Sequence, residues 1–587
     1  MSSISKTSTK IDDNSSLELE SYHPLIKKVL DSHKITSKDQ AEVFLNPDYD
    51  LHTHDSALLK NSDLAADRLI KAIKDDEHIA IWSDYDSDGI PGAVLVNDVF
   101  RKVGFSNYEI YIPHRHNEGF GLNISGIDEL AKNGTNLLLT IDCGIASFDA
   151  ISHARGLGID VIVTDHHELS GSLPDDSIVV NPKQPGCLYP EKMLCGAAVV
   201  FKLMERVLFK LREDEDDLNV KLHIPKPGWE KWLLDMVGLA TLSDMVPLVG
   251  ENRVLAKYGL FVLRKSPRVG LMKLLRKTKV NQRYLSEDDI GFTISPRINA
   301  ASRMGVSRDA FLLLSTESED EAEHYTNHLD EINNERKGVV ASMVKEIKRH
   351  ISEREEIKDS PVIVLGNPKW KPSLLGLAAG SIAEECQKPV FLWGRDGEGV
   401  LKGSCRAPEG FDILKIISST PEGTFLQYGG HMQSGGFSIS SEKVHFLNDL
   451  LSKSHDLIYK DEEKKENASA LIHGVISPEE ADWKLYSTIE KLGPFGVGNP
   501  KPLFELSNIE LLRVEYFGKE KNHLKFVCKR EGGKPIDAIQ FFYTRNPKNK
   551  NSKELSAMKR VSITAHLEKS MFRNFPELRL RIVDIVE

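Results

Sequence analysis

Between residues 79 and 180 five short apolar runs, IAIW, YEIYI, LLLTI, DVIVT and SIVV, are spaced by mostly polar or helix-like segments. A run that is apolar at every position is buried on both faces, and such strands belong to a parallel sheet whose crossovers are helices. The rhythm therefore commits this part of the chain to an α/β fold. Three of the runs end in ionisable residues: Asp84, Asp86 and Asp88 of SDYDSDG after the first, Asp142 of DCG after the third, and Asp165, His166, His167 and Glu168 of DHHE after the fourth. Parallel strands all point one way, and functional crevices open beyond their carboxyl ends. Clusters distant in sequence thus become neighbours. A further stretch, WLLDMVGLATLSDMVPL, reads as a helix that ends near Ser243 and Asp244.

Five aspartates and two histidines in one crevice repel or desolvate one another unless cations join them. The donors are hard carboxylate oxygens with one or two imidazoles and no thiolate, which favours Mn²⁺ or Mg²⁺ over structural zinc. Two ions sharing a bridging carboxylate account for this many ligands, and a pair about 3.5 to 4 Å apart serves phosphoryl transfer by activating water and steadying both oxygens. Any single aspartate after a strand is commonly just the N-cap of the next helix. Caps, however, do not call for adjacent histidines. An extended segment is expected to send Asp84, Asp86 and Asp88 to one face, with a turn at Gly89.

The rest of the chain is mostly helical from about 190 to 315. Residues 316 to 358, nearly free of Gly and Pro, predict a long connecting helix. A second α/β unit follows, with strands PVIVLG and KPVFLWG around a helix LLGLAAGSIAEEC. Two Gly-rich stretches come next. LKGSCRAP sets Arg406 beside Ser404, suited to an anion or merely surface-exposed, and YGGHMQSGGFS holds His431 in either a phosphate-cradling loop or a plain turn. The charged run 460–469 reads as a linker, and alternating segments after it as a terminal β-domain, expected to be a small barrel. Its Phe504, Phe517, Phe526, Phe541 and Phe575 could stack on bases, though most are expected in the core. RNPKNKNSK (545–553) is a candidate for contact with a nucleic-acid backbone. No GxxxxGK[ST] motif points to ATP.

A net charge of −11 argues against a surface that coats nucleic acid nonspecifically, and leaves a local basic groove open. Six scattered cysteines without a CxxC pair suggest neither a zinc ribbon nor a disulfide framework and fit a reducing cytoplasm. The polar first twenty residues and the lack of any apolar stretch near ~18 residues predict a chain neither exported by a Sec signal nor membrane-spanning.

From about His23 to the C-terminus the ordered series SDYDSDG, YIPHRHNEGFGL, TIDCGI, VIVTDHHE, VVNPKQP, LSDMVPLVGENR, SPRINAASRMG, GSCRAP, YGGHMQSGGF and GPFGVGNPKPLF resembles the RecJ exonuclease family of the DHH phosphoesterase superfamily. The first twenty residues fall outside the resemblance, and their composition predicts a disordered tail (1–20). The resemblance implies a DHH catalytic domain with a parallel sheet (21–315), a connecting helix (316–358), an α/β DHH-associated domain bearing the GGH motif (359–459) and an OB-fold (460–587). It also implies 5′ to 3′ hydrolysis of single-stranded DNA to nucleoside 5′-monophosphates with two Mn²⁺ or Mg²⁺ ions, in DNA repair and recombination. A cytoplasmic monomer is expected, with a single-strand-binding protein and a DNA helicase as candidate partners. Matched position by position, the resemblance makes Asp84, Asp86, Asp88, Asp142, His166, His167 and Asp244 metal ligands, with Asp142 as bridge. It gives Asp165 an orienting role behind the histidines, and leaves His167 facing either metal or the scissile phosphate. Arg115, Arg303, Ser404 and Arg406 become a pocket for the terminal 5′-phosphate, His431 a contact to the scissile phosphate, and Asn299 a support of that region. Ser302 and Ser434 depart from the family pattern and are expected to alter their loops. A DHH hydrolase of pyrophosphate, cyclic dinucleotides or short oligonucleotides would not need the terminal domain. A non-catalytic DNA-binding scaffold would not keep every metal position.

Overall fold

Residues 18–169, 171–213, 222–396, 399–459, 471–518, 520–543, 555, 558–571 and 575–586 are described by a computed structural model. The linker expected at 460–469, the RNPKNKNSK stretch and the tail through residue 17 lie outside them.

The five apolar runs are five parallel strands, β1 (Ile79–Ser83), β2 (Tyr108–Tyr111), β3 (Leu137–Ile141), β4 (Asp160–Thr164) and β5 (Ile178–Val180), in the order β2-β1-β3-β4-β5. Ile79 of β1 sits opposite Tyr108 on one side and Leu137 on the other. Both β1 and β3 are buried throughout, which is why their sequences do not alternate. Against one face Ala80, Trp82, Leu138 and Val161 pack with Ile127, Leu130, Ile151 and Ala154 from the helices Ile124–Lys132 and Phe148–Gly156. The helix Leu234–Ser243 is almost wholly buried and has Asp244 as its C-cap, as its sequence predicts.

The connecting helix spans Glu319–Glu353. It stops short of residue 358, because Arg354 is extended (φ −127°, ψ 101°) and a separate short helix, Glu355–Asp359, follows. The second sheet comprises β6 (Ile363–Gly366), β7 (Val390–Arg395), β8 (Leu401–Arg406), β9 (Gln427–His431) and β10 (Ser434–Ile439), in the order β6-β7-β8-β10-β9. LKGSCR forms β8, and YGGHMQSGGFS is a hairpin whose strands β9 and β10 are joined by a two-residue turn at Met432 and Gln433. The glycines admit ring packing: a Cβ on Gly403 would fall 2.0 Å from the Phe437 ring. Glycine in a strand marks just such a close approach.

The terminal strands β11 (Ile472–Val475), β12 (Leu503–Phe517), β13 (His523–Cys528), β14 (Ile536–Gln540), β15 (Arg560–Ser570) and β16 (Glu577–Val586) pair in the order β11-β12-β13-β14-β16-β15. Because β15 also pairs with β12, five of them close into a barrel. Phe504 and Phe526 lie in its core, whereas Phe575 is exposed and Phe517 is half-buried. That core also takes Leu25, Val29, Leu30 and Phe44 from the helices Pro24–Ser32 and Lys38–Leu45. Sequence reading grouped these helices with the catalytic domain, and packing groups them with the barrel. An amphipathic stripe announces that a helix face is buried but not against what.

Candidate active site

The acidic residues reach their positions through turns at the carboxyl ends of β1, β3 and β4. The chain leaves β1 at Ser83, so strand alternation does not orient Asp84, Asp86 and Asp88 as expected. Asp86 accepts from the amides of Asp88 (2.8 Å) and Gly89 (3.3 Å) through one oxygen, closing the turn into the helix Gly89–Val103, whose N-cap residue Asp88 makes no side-chain cap bond. Asp88 instead accepts from the amides of Gly196 (2.6 Å) and Ala197 (2.8 Å), at the start of the helix Gly196–Glu213, where the backbone dipoles favour an anion. Asn299 clamps the loop between them, accepting from the Ser87 amide and donating to its hydroxyl, each at 3.0 Å. Asp142 follows β3 with φ +60°, a backbone region that costs a non-glycine residue energy and recurs at functional sites. Gly196 is required beside it, since a Cβ there would lie 2.6 Å from Asp142 Oδ1.

These turns bring together three groups whose donor atoms lie within 4.8 Å of one another: Asp84, Asp86 and Asp142; Asp88, His166 and Asp244; and Asp142, His166 and His167. Asp142 belongs to two of them. His166 Nε2 stands 3.1 Å from Asp142 and 3.7 Å from Asp88, and its Nδ1 is 3.9 Å from Asp244. Burial, followed by mutual repulsion, raises the pKa of Asp84, Asp88 and Asp142 and takes that of Asp244 to about 8. Burial lowers that of His166. One oxygen of Asp84 and one of Asp142 are buried with no hydrogen-bond partner. Orphaned carboxylate oxygens, imidazole nitrogen and the absence of thiolate from the groups fit a hard divalent cation.

Asp165 is the most heavily bonded of these carboxylates, taking four bonds through its two oxygens. It accepts from His167 Nδ1 (2.8 Å), from the amides of His166 (2.7 Å) and His167 (3.1 Å), and from Ile145 N (3.0 Å). Burial pushes its pKa up, but these bonds outweigh burial and it lies low. The same contact overcomes the desolvation of His167, whose pKa rises to about 9.

Beside the acids stands a group of half-buried arginines. Arg115 lies over the Tyr85 ring (4.9 Å) and its Nη1 is 3.4 Å from Ser302 Oγ. Arg303 donates to the Ser373 carbonyl (2.7 Å), and Arg406 to Ser404 Oγ (3.2 Å) and the Cys405 carbonyl (2.6 Å). Burial first, then the charges of Arg115, Arg336 and Arg406, lower the Arg303 pKa to about 10. The pocket residues expected from sequence are thus gathered, together with Arg336, which sequence reading missed. Arg336 lies in the connecting helix, and its Nε and the Asn333 Nδ2 are buried without partners. Only its helical spacing from Asn333 could have signalled it. Ser302 lies within the helix Ser295–Met304, not in an altered loop. Ser434 pairs with His431 across β9 and β10. His431 itself is exposed, and its charge reaches Glu168, whose pKa is lowered chiefly by a hydrogen bond from Lys183.

Three family models match in chain order: the DHH family, N-terminal domain, at residues 78–237, the DHHA1 domain at 332–458 and the RecJ OB domain at 472–584. The single-stranded-DNA-specific exonuclease RecJ of Haemophilus influenzae is 32% identical over 583 residues, covering 97% of this chain and 96% of that protein. The protein of the same name from Bacillus subtilis is 31% identical, covering 96% and 68%. A crystal structure of RecJ in complex with Mn²⁺ from Thermus thermophilus superposes with a TM-score of 0.77 at 24% identity, covering 97% of this chain and 76% of that one. With three domains matched in order and nearly full-length likeness to named relatives, this chain belongs to the RecJ family of exonucleases.

Proposed function

We propose that this protein is a divalent-metal-dependent exonuclease that degrades single-stranded DNA from the 5′ end, releasing nucleoside 5′-monophosphates in DNA repair and recombination. The observation that carries this reading is the juxtaposition of a carboxylate cluster holding orphaned buried oxygens with an arginine group that has no carboxylate partner among the described residues. Asp84, Asp86 and Asp142 would hold one Mn²⁺ or Mg²⁺, and Asp88, Asp142, His166 and Asp244 a second. When bound, such a pair stabilises charge on the attacking and leaving oxygens of a phosphodiester.

The chain's own residues do the rest. Arg115, Arg303, Ser404 and Arg406 grip a terminal phosphate through charge-assisted hydrogen bonds, and an internal position, which has no terminus to offer, is refused. Asp165 holds His167 at Nδ1, which orients the other ring nitrogen toward the metals or the scissile phosphate. His431 completes the contact from β9, and Asn299 fixes the loop that carries the acids. The family resemblance supplies the remaining features: cytoplasmic action as a monomer, on strands delivered by a helicase or a single-strand-binding protein.

Single-stranded DNA labelled at either end, incubated with Mn²⁺, Mg²⁺ or EDTA, tests the reading. Metal-dependent early release of the 5′ label, absent from Asp142→Ala, is expected. Early release of the 3′ label or full activity in the variant would overturn it.

A further inference from the structure

Phe120 is an apolar ring, 57% exposed, set against the histidines of the candidate active site. It meets the His167 ring edge to face, with centroids 5.7 Å apart and planes at 71°. The sequence builds this presentation. Phe120 is bracketed by Gly119 (φ +82°) and Gly121 (φ +79°), both in the left-handed region that favours glycine.

The stalk on either side is tied down. Glu118 accepts from Tyr111 Oη (2.5 Å) and Asn123 Nδ2 (3.3 Å) with one oxygen, and from the His114 amide (2.6 Å) with the other. Beyond the second glycine, Leu122 N donates to Ser147 Oγ (3.3 Å). An isolated exposed hydrophobe ordinarily needs no explanation. Here, however, Leu122 and Ile145 enter the adjoining core while the larger ring two residues away does not, and it is held against a histidine of the candidate active site.

We propose that Phe120 is a base-stacking residue, receiving the nucleobase of one of the two nucleotides that flank the scissile phosphate. The inference rests on the nuclease reading and adds a source of strand selectivity. A ring can take a base face only if that base has left its own stack, so a paired end is a poor substrate.

The test uses the full chain, Phe120→Ala and Phe120→Tyr, and oligonucleotides with an abasic site at the first or second nucleotide. Phe120→Ala lowers kcat/KM on intact strands by about 5- to 150-fold, mainly through KM, and Phe120→Tyr restores it. On the substrate lacking the recognised base the alanine variant loses nothing further. Equal losses on the intact and both abasic substrates would mean that the ring only buttresses His167, and would overturn the proposal. With EDTA present to prevent turnover, 2-aminopurine at the recognised position is quenched by the wild type and not by Phe120→Ala. Absence of quenching at both positions overturns the proposal too. Failure of the wild type to release nucleotides with metal would sink the nuclease reading instead, leaving the quenching experiment to judge Phe120.

Discussion

The acidic cavity beyond β1, β3 and β4 and the arginine group of Arg115, Arg303, Arg336 and Arg406 carry opposite charge and lie near enough for Asp86 to act on Arg303. Among the described residues they form no ion pair with each other. Elsewhere in the same unit buried charge is paired directly: Arg268 bonds Asp98 (2.5 Å) and Asp235 (2.7 Å), and Lys202 bonds Glu205 (2.9 Å) and Glu251 (3.1 Å). Opposite charges 4 Å apart attract by about 4 kcal/mol at an effective dielectric of about 20, so keeping the two clusters from pairing with each other forgoes a large attraction. The contrast agrees with the proposed function, in which a cation neutralises one cluster and a phosphate the other.

The hardest blow to this comparison would come from Asp142. Asp142→Asn keeps the shape and removes the charge, so exonuclease activity is expected to fall about a thousand-fold or more. The melting temperature of the metal-free protein should hold or rise, since a repelled carboxylate is gone. A clear fall in that temperature, measured by calorimetry with EDTA, would show that the protein itself compensates Asp142.

The acidic half of the comparison was legible in the sequence and much of the arginine half was not, for physical reasons. Uninterrupted apolar runs dictate parallel strands, and parallel strands dictate where DHHE and DCG meet. Turn geometry is set by contacts that sequence does not display. Asp86 closes the turn before a helix while Asp88 reaches amides more than a hundred residues away, and strand alternation could foretell neither. Arg336 lies in a helix of ordinary helix formers, so nothing local distinguishes it from a solvated arginine. In YGGHMQSGGFS the glycines signal the turn but not the two strands on either side of it, and a strand glycine such as Gly403 is explained only by the Phe437 ring that fills the space its side chain leaves.

Arg303→Gln tests the basic half. Losing charge-assisted hydrogen bonds of about 1.5 to 3 kcal/mol should lower kcat/KM on 5′-phosphorylated strands by roughly 10- to 150-fold, with much less effect on 5′-hydroxyl strands. Arg336→Gln should act in the same direction but more weakly, since Asn333 already engages its guanidinium (3.0 Å). Equal losses on both kinds of end would break the assignment of this cluster to a phosphate.

The pH dependence sharpens the comparison further. Asp244, whose side chain is 30% exposed, titrates near 8 in the folded metal-free protein and near 4 when unfolded. Its contribution to stability is therefore fully present below about pH 4 and is lost as the pH rises through 8. The melting temperature of the metal-free protein should fall between pH 5 and 8, and Asp244→Asn should flatten that slope. Metal must displace the same proton, so titration calorimetry should show Mn²⁺ affinity rising by up to about tenfold per pH unit for this group across that range. A flat affinity profile would mean that Asp244 does not compete for metal.

The smallest effect is expected where the two clusters are joined. Asn299 holds the acidic loop through Ser87, and Arg303 lies four residues further along the same helix, on the same face. Asn299→Ala removes two hydrogen bonds of about 1 kcal/mol each, loosening the acidic loop and leaving the helix in place. Mn²⁺ affinity should drop by about 5- to 30-fold, while the preference for a 5′-phosphate over a 5′-hydroxyl stays within about twofold of the wild type. If the preference collapses and the affinity holds, Asn299 serves the arginine cluster instead. The boundary between the two charge clusters would then fall at the Ser87 loop, and not within the helix.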